Sequence, residues 1–156
     1  MIRAWKCSNA NFYLVDQYCE PCDAETFRHT FWKFVKRYNP SVALIEATAN
    51  GPALYARVRN KARFELRLIT PRRASKAERF NAHVEKIRAK RVFLPMYAPW
   101  RHAFLDEITN FPGEFDDQID AMTQYFDFAD TNPTIKPPRA RAIVARPTLR
   151  YPFRKF

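Results

Sequence analysis

Strand-like and helix-like spacings of apolar residues alternate along the first 130 residues. Residues 4–6 and 12–18 favour two strands around a turn at residues 8–11. Residues 23–38 carry aromatic and apolar side chains at helical spacing, behind an aspartate that can cap a helix. Residues 41–45 are a short apolar run, typical of a strand buried on both faces. A helix followed almost directly by such a strand predicts an αβ unit.

The later elements follow the same rules. Ser75 and Glu78 form an S-x-x-E capping box before a helix whose inward face is Phe80, Val84 and Ile87. In chain order we predict a helix over residues 52–59, a strand over 64–68, the capped helix to about residue 90, a strand over 92–94, a helix that opens at Pro99 and a helix that starts near Phe115. This order predicts an α/β fold, a mixed sheet flanked by helices, in one domain over residues 1–130.

The last segment, residues 131–156, has a different composition. It contains five of the twelve prolines and seven lysine or arginine residues, with neither a helical nor a strand period. This composition predicts a basic, proline-rich tail that is disordered or bound to a partner.

Charge is distributed very unevenly in this chain of net charge +11. Residues 57–91 hold thirteen lysine or arginine residues against three glutamates, whereas residues 105–130 hold eight carboxylates and neither lysine nor arginine. Basic blocks beside a carboxylate cluster suit an enzyme that acts on nucleic-acid phosphates, because basic residues bind the backbone while metals do the chemistry. A structural nucleic-acid binder would also be basic, but it would have less use for the acidic block.

The acidic block brings three aspartates together. A helix that starts near Phe115 places Asp116, Asp117 and Asp120 within an arc of roughly 100°. Such a cluster needs a cation, and carboxylates are ligands that hard divalent ions such as Mg²⁺ prefer. The alternative is a solvated acidic first turn, which the helix dipole favours.

Glu46 stands directly after the apolar run of residues 41–45. The carboxyl end of a buried strand is where open α/β sheets place their ligands, and a charge there is costly unless it is paired. We therefore predict Glu46 as a site residue. The alternative is a glutamate that marks the exit of the strand into solvent.

The basic residues near the third predicted helix form a candidate DNA-binding face, with solvation as the alternative. They are Arg72, Arg73, Lys76, Arg79, Lys86 and Lys90. Cys19 and Cys22 form a CxxC pair without a second pair, so free thiols compete with a zinc half-site. The sequence has neither a signal-peptide pattern nor a long apolar run, so we expect no membrane contact and a cytoplasmic location.

Four blocks follow one another along the chain: VALIEATANG at residues 42–51, SKAER at 75–79, VFLP with APW at 92–100, and EI, FPG and DDQIDA at 107–121. In this order and spacing, over roughly residues 4–128, they resemble the C-terminal nuclease domain of tailed-phage large terminase subunits. The DDQIDA block is the most specific part. The resemblance implies a ribonuclease H-like fold and cleavage of concatemeric viral DNA with divalent metals during packaging.

The resemblance also assigns residues and partners. Glu46 falls on the second acidic position of the family, and Asp117 and Asp120 fall on its last acidic block. It implies that these carboxylates hold Mg²⁺ or Mn²⁺ in a two-metal site. The i, i+3 spacing of Asp117 and Asp120 favours Asp120 as a direct ligand, and Asp116 is a substitute. The implied partners are double-stranded DNA, the portal and the small terminase subunit, in the cytoplasm of the host cell.

Two parts of the family pattern have no counterpart in the chain. The first metal-binding Asp of the family lies on a strand ahead of the hairpin, and Asp16 corresponds to a later strand. The P-loop of the ATPase motor is also absent. We therefore expect a domain that is incomplete at its N-terminus. In the family's fold the missing strand lies centrally, between the hairpin and the strand of residues 42–45, and its loss would leave unpaired backbone groups on both. Three outcomes are open: the remaining strands close the gap, another polypeptide supplies the strand and the ATPase, or the fragment is unstable.

Two functions remain open from the sequence. One is a two-metal phosphodiester hydrolase that uses Glu46, Asp117 and Asp120. The other is a catalytically inactive terminase remnant that binds DNA or a packaging partner.

Overall fold

The computed structural model describes residues 1–70, 73–113, 116–132 and 153–155, which form six strands and five helices. In chain order the elements are β1 (Ile2–Ser8), β2 (Asn11–Tyr18), α1 (Ala24–Tyr38), β3 (Val42–Glu46), α2 (Gly51–Val58), β4 (Glu65–Ile69), α3 (Lys76–Arg88), β5 (Val92–Pro95), α4 (Arg101–Thr109), α5 (Asp117–Thr131) and β6 (Phe153–Lys155). The predicted α/β class, with strands and helices in this order, is confirmed. The chain divides into two compact units: residues 1–2 with 18–73, and residues 3–17 with 74–156.

The first unit contains a two-stranded parallel sheet with α1 and α2. The carboxylate of Asp23 accepts a hydrogen bond of 2.7 Å from the backbone N–H of Thr26 and so caps α1. Strands β3 and β4 pair from Val42 opposite Glu65 to Glu46 opposite Ile69. The buried core of the unit is formed by Phe31, Ile45 and Val58.

Two details of the first unit differ from the sequence prediction. The strand that was expected to be buried on both faces, β3, buries only Ile45, because within the described chain it has β4 as its single strand neighbour. Leu68 in β4 is 42% exposed although it belongs to the apolar alternation of residues 64–68. A sheet with so few strands cannot enclose every apolar side chain that points away from its helices.

The second unit contains a four-stranded sheet in the order β1-β2-β5-β6. Strands β1 and β2 are joined by a tight turn in which Asn9 and Ala10 adopt positive φ angles, and β2 runs parallel to β5. Helices α4 and α5 contribute most of the buried aromatic and aliphatic side chains, of which Phe104, Ile119, Met122 and Phe126 are fully buried. In the sequence, Ile119, Met122 and Phe126 recur at the three- to four-residue spacing of one helix face.

Two corrections and one agreement concern the second unit. Strand β6 pairs antiparallel with β5, although the tail was expected to lack regular structure. Residues 133–152 and 156 of that tail lie outside the described residues. Helix α3 buries Arg79 and His83, because it packs against an acidic helix. The residues expected on its inward face, Phe80, Val84 and Ile87, are only partly buried. Helix α5 starts at Asp117, close to the predicted start near Phe115, and Phe115 itself lies outside the described residues.

Candidate functional site

Helices α3 and α5 face each other with basic and acidic side chains. Four pairs follow one another: Lys76 with Asp116, Arg79 with Asp120, His83 with Asp127, and Lys86 with Asp130. Residue numbers rise together on both helices, so the helices run in the same direction. We call these four pairs the α3–α5 ladder.

The members of the ladder differ in how deeply they lie. Arg79 is 8% exposed, and it donates both to the carboxylate of Asp120 and to the carbonyl oxygen of Ala74, at 2.5 Å in the latter case. Lys76 is 40% exposed, with 2.5 Å between its Nζ and Oδ1 of Asp116. Water screens an exposed pair and weakens it, so the Arg79 pair is the harder of the two to separate.

The start of α3 is fixed by the predicted capping box. The hydroxyl oxygen of Ser75 accepts from the backbone N–H of Glu78 at 3.2 Å, and the N–H of Ser75 donates to the Glu78 carboxylate at 2.7 Å. This places Lys76 and Arg79, three residues apart, on the side of α3 that meets α5. The hydrogen bond to Asp116 raises the pKa of Lys76, and the charges of Asp116, Asp120 and Asp117 add to this shift.

Glu107 in α4 organises the start of α5. Asp116 stands at the N-cap position without a capping side-chain hydrogen bond, whereas Oε1 of Glu107 accepts from the backbone N–H groups of Gln118 at 2.6 Å and Ile119 at 3.2 Å. Two of the N–H groups that every helix start leaves unpaired are thereby satisfied by a residue from another helix. Sequence reasoning missed this role, although the Glu107-Ile108 block belongs to the resemblance.

Gln118 ties the same helix start to the sheet. Its side-chain oxygen accepts from Arg3 in β1 and from Gln17 in β2, both at 3.0 Å. Its carbonyl oxygen accepts a second hydrogen bond from Arg3, at 2.5 Å. These buried polar contacts fix the orientation of the first turn of α5, where the predicted metal ligands lie.

The structure therefore supplies partners for much of the acidic block, and three of these partners are the cations Lys76, Arg79 and Lys86. Four of its eight carboxylates lie on the ladder and Glu107 caps α5, while the side chain of Asp106 pairs with His102. Asp117 is exposed, and Glu114 lies outside the described residues. The carboxylate oxygens of Asp116, Asp117 and Asp120, at the start of α5, are ligands that suit a hard divalent ion. Such an ion would compete with Lys76 for Asp116 and with Arg79 for Asp120. Within the described chain, no group of three or more histidine, cysteine, aspartate or glutamate side chains is arranged to hold a metal.

Glu46 ends β3 in the first unit, as predicted. Its carboxylate accepts a hydrogen bond of 2.7 Å from the hydroxyl of Thr48. A Cβ atom on Gly51 would clash with the carbonyl oxygen of Glu46, so the backbone approaches closely where α2 begins. Because Asp120 belongs to the second unit, the expected convergence of Glu46 with Asp120 stays a prediction.

The predicted DNA-binding residues fall into two groups. Arg73 and Lys90 are exposed, and Arg72 lies outside the described residues. Lys76, Arg79 and Lys86 lie on the ladder and pair with aspartates. For Arg79 the structure shows a guanidinium enclosed between two acceptors, which differs from the solvent-facing position that the sequence suggested.

Two further features bear on the sequence predictions. The thiols of Cys7, Cys19 and Cys22 are free and exposed. None of the helices in the described ranges has the length and apolar character needed to cross a membrane.

Comparison with known proteins gives one match. A family model described as the terminase RNaseH-like domain matches residues 11–127. Neither a curated protein nor a solved structure matches the chain.

Proposed function

The chain belongs to the family of the terminase RNaseH-like domain, and from this membership we propose that it is the nuclease domain of a phage or prophage terminase large subunit. In this role it is a metal-dependent endonuclease that cuts concatemeric viral DNA during genome packaging, in the cytoplasm of the host cell. The observation that carries the proposal is the extent of the family match, which includes Glu46 and the whole first turn of α5. The mixed sheet with its helices is consistent with a ribonuclease H-like fold.

Glu46, Asp117 and Asp120 are the proposed ligands of Mg²⁺ or Mn²⁺, with Asp116 as a substitute. When bound, such ions generate a nucleophile from water and stabilise the leaving oxygen of a phosphodiester. The chain contributes the placement of the ligands: Glu107 holds the start of α5, and Arg79 orients the carboxylate of Asp120. Placement matters because two-metal hydrolysis depends on the distance between the two ions.

DNA is the proposed substrate, and its phosphates require exposed cations. Arg73 and the partly exposed Lys76 are proposed phosphate contacts, together with Arg72. The more enclosed Arg79 and Lys86 are proposed to act mainly through their aspartate partners. Binding through basic residues releases counterions, so the affinity should fall steeply as the salt concentration rises.

A further polypeptide is proposed as a partner, in addition to the portal and the small terminase subunit. Within the described chain, β1 has a strand neighbour only in β2, and β3 only in β4. Each therefore presents backbone N–H and C=O groups along one side, which a strand from another chain can pair with. This supports a partner that pairs a strand with one of these edges and so supplies the first metal-binding Asp.

The α3–α5 ladder favours a second candidate function. Asp116 and Asp120 already have cationic partners, so the carboxylates do not require a metal to be neutralised. The alternative is accordingly a catalytically inactive terminase remnant that binds DNA or a packaging partner. Under either function, we expect the isolated chain to bind DNA in a salt-sensitive way and to cut it poorly or not at all.

A plasmid-nicking assay with Mn²⁺ or Mg²⁺ tests the proposal. Any cleavage should require the metal and should be lost in Glu46→Ala and Asp120→Asn, where asparagine keeps a hydrogen-bond acceptor for Arg79. Asp127→Asn is the matched control, because it changes another aspartate of the ladder that is not a proposed ligand. Robust cutting that survives both ligand substitutions would show that the chemistry lies elsewhere. Metal-dependent cleavage that both ligand substitutions abolish would favour the endonuclease over the inactive remnant.

A further inference from the structure

We propose that residues 57–63, the end of α2 and the turn that follows it, form the principal contact of this chain with the DNA backbone. The inference rests on the proposed function, because DNA is the ligand that the family implies. Four cations occupy alternate positions in this segment: Arg57, Arg59, Lys61 and Arg63. All four are exposed. We call these residues the basic turn.

The charge of the basic turn is not offset by nearby sequence. No carboxylate occurs between Glu46 and Glu65, so this stretch carries four positive charges and no negative one. Glu65, at its far end, pairs with Arg67 at 2.5 Å. The C-terminal end of a helix carries partial negative charge, which stabilises cations gathered there. The segment therefore presents a concentrated positive surface to solvent.

The backbone of the basic turn is held in place by the core of the first unit. Val58, the second residue of the turn, is fully buried, and Phe64 packs against the same core directly after the turn. The carbonyl oxygen of Val58 accepts hydrogen bonds from the backbone N–H groups of Lys61 at 3.0 Å and Ala62 at 3.1 Å. Because the backbone is ordered before binding, less conformational entropy is lost when the side chains meet phosphates.

The cations of α3 present the opposite case. Lys76, Arg79 and Lys86 point at aspartates of α5, so a phosphate that approached them would compete with a carboxylate already in place. Arg57 has the carboxylate of Glu25 nearby, but Arg59, Lys61 and Arg63 form no ion pair with a described residue, so phosphates reach them without that competition. The two basic regions of the same 57–91 block therefore differ in their availability to DNA, which the sequence does not reveal.

The test compares two double variants of the whole chain that remove equal charge from the first unit. Arg59→Gln/Lys61→Gln removes two cations from the basic turn. Lys33→Gln/Lys36→Gln removes two exposed cations from α1 and is the matched control. Binding to a fluorescein-labelled DNA duplex is measured by anisotropy over a series of NaCl concentrations, with EDTA present so that cleavage does not contribute. Circular dichroism and thermal unfolding establish that both variants keep the fold.

The slope of log K against log salt changes by about 0.9 for each DNA phosphate that the protein no longer neutralises. We expect the basic-turn variant to lower the slope by about 1.8 and the control by less than about 0.5. Equal reductions in both variants would mean that binding follows net charge alone, and would overturn the proposal. If poly-glutamate displaces the labelled duplex as well as unlabelled DNA of equal charge does, the turn binds acidic proteins equally well, and this result would also overturn the proposal.

This result is independent of the nicking assay. A chain that binds DNA through the basic turn, but whose cleavage survives both ligand substitutions, upholds the inference while the assignment of the metal ligands fails. If cleavage is metal-dependent but the basic-turn variant keeps the salt slope of the unaltered protein, the endonuclease proposal stands and the inference about the basic turn fails.

Discussion

Glu107→Ala should destabilise the second unit although this residue is not a proposed metal ligand. In the structure its carboxylate accepts from the backbone N–H groups of Gln118 and Ile119, at 2.6 and 3.2 Å. Alanine would leave both donors unpaired in a partly buried position. Loss of a helix cap costs about 0.5–2 kcal/mol, and loss of a hydrogen bond to a charged group about 1.5–3 kcal/mol. We therefore expect a loss of about 2 kcal/mol in the free energy of unfolding.

Glu107→Gln separates hydrogen bonding from charge. Its amide oxygen still accepts from the start of α5, but the attraction between a carboxylate and a helix N-terminus, about 0.3–1 kcal/mol, disappears. This variant should fall between alanine and the unaltered protein. Asp106→Ala is the matched control, because it removes a carboxylate from the adjacent position of α4. The side chain of Asp106 is 58% exposed and pairs with an exposed His102, so its loss should cost less than about 0.5 kcal/mol.

Urea denaturation gives the free energies, and amide hydrogen exchange locates the effect. For a chain of this length, 2 kcal/mol corresponds to a fall of about 4–8 °C in the melting temperature. Exchange should accelerate at the amides of Gln118 and Ile119 in Glu107→Ala and remain unchanged in Asp106→Ala. Equal stability of the two alanine variants, with unchanged exchange at these amides, would refute the assignment of Glu107 as the cap of α5.

Three further predictions concern the same unit. Lys76→Gln should strengthen Mn²⁺ binding about two- to fivefold, measured by isothermal titration calorimetry. The reason is that Asp116 loses a competing ion pair that contributes up to about 1 kcal/mol. Unchanged or weaker binding would contradict this. Phe126→Ala should lower the free energy of unfolding, measured by urea denaturation, by about 3–5 kcal/mol, since this ring is fully buried. Tyr97 is 67% exposed, so Tyr97→Ala should lower it by less than about 0.5 kcal/mol. Similar losses in both variants would count against the assigned core. Glu78→Gln should lose more stability at pH 7 than at pH 3. The N–H of Ser75 holds the pKa of Glu78 below its ordinary value of 4.5, so the stabilisation by the ionised carboxylate disappears as pH falls through the lowered pKa. A stability difference independent of pH would refute this.

Local interactions explain why many elements could be predicted from the sequence. The caps of α1 and α3 join residues three apart, Asp23 with Thr26 and Ser75 with Glu78, and both are confirmed. The inward face of α5 follows from a period of about four residues, which needs no knowledge of what the helix packs against. The family resemblance rests on equally compact blocks. These features are encoded within one or two helical turns, so the sequence alone determines them.

The chemistry of the acidic block, by contrast, was decided by tertiary structure. From the sequence, the aspartates of α5 required a cation, and a metal and a solvated surface were equally acceptable. Packing α3 against α5 supplies Lys76 and Arg79 to Asp116 and Asp120, across forty and forty-one residues. Strand β6 likewise formed in a tail without any local strand period, because β5 offers it an edge. The free energy of such contacts depends on which elements meet in space, and no local pattern of residues carries that information.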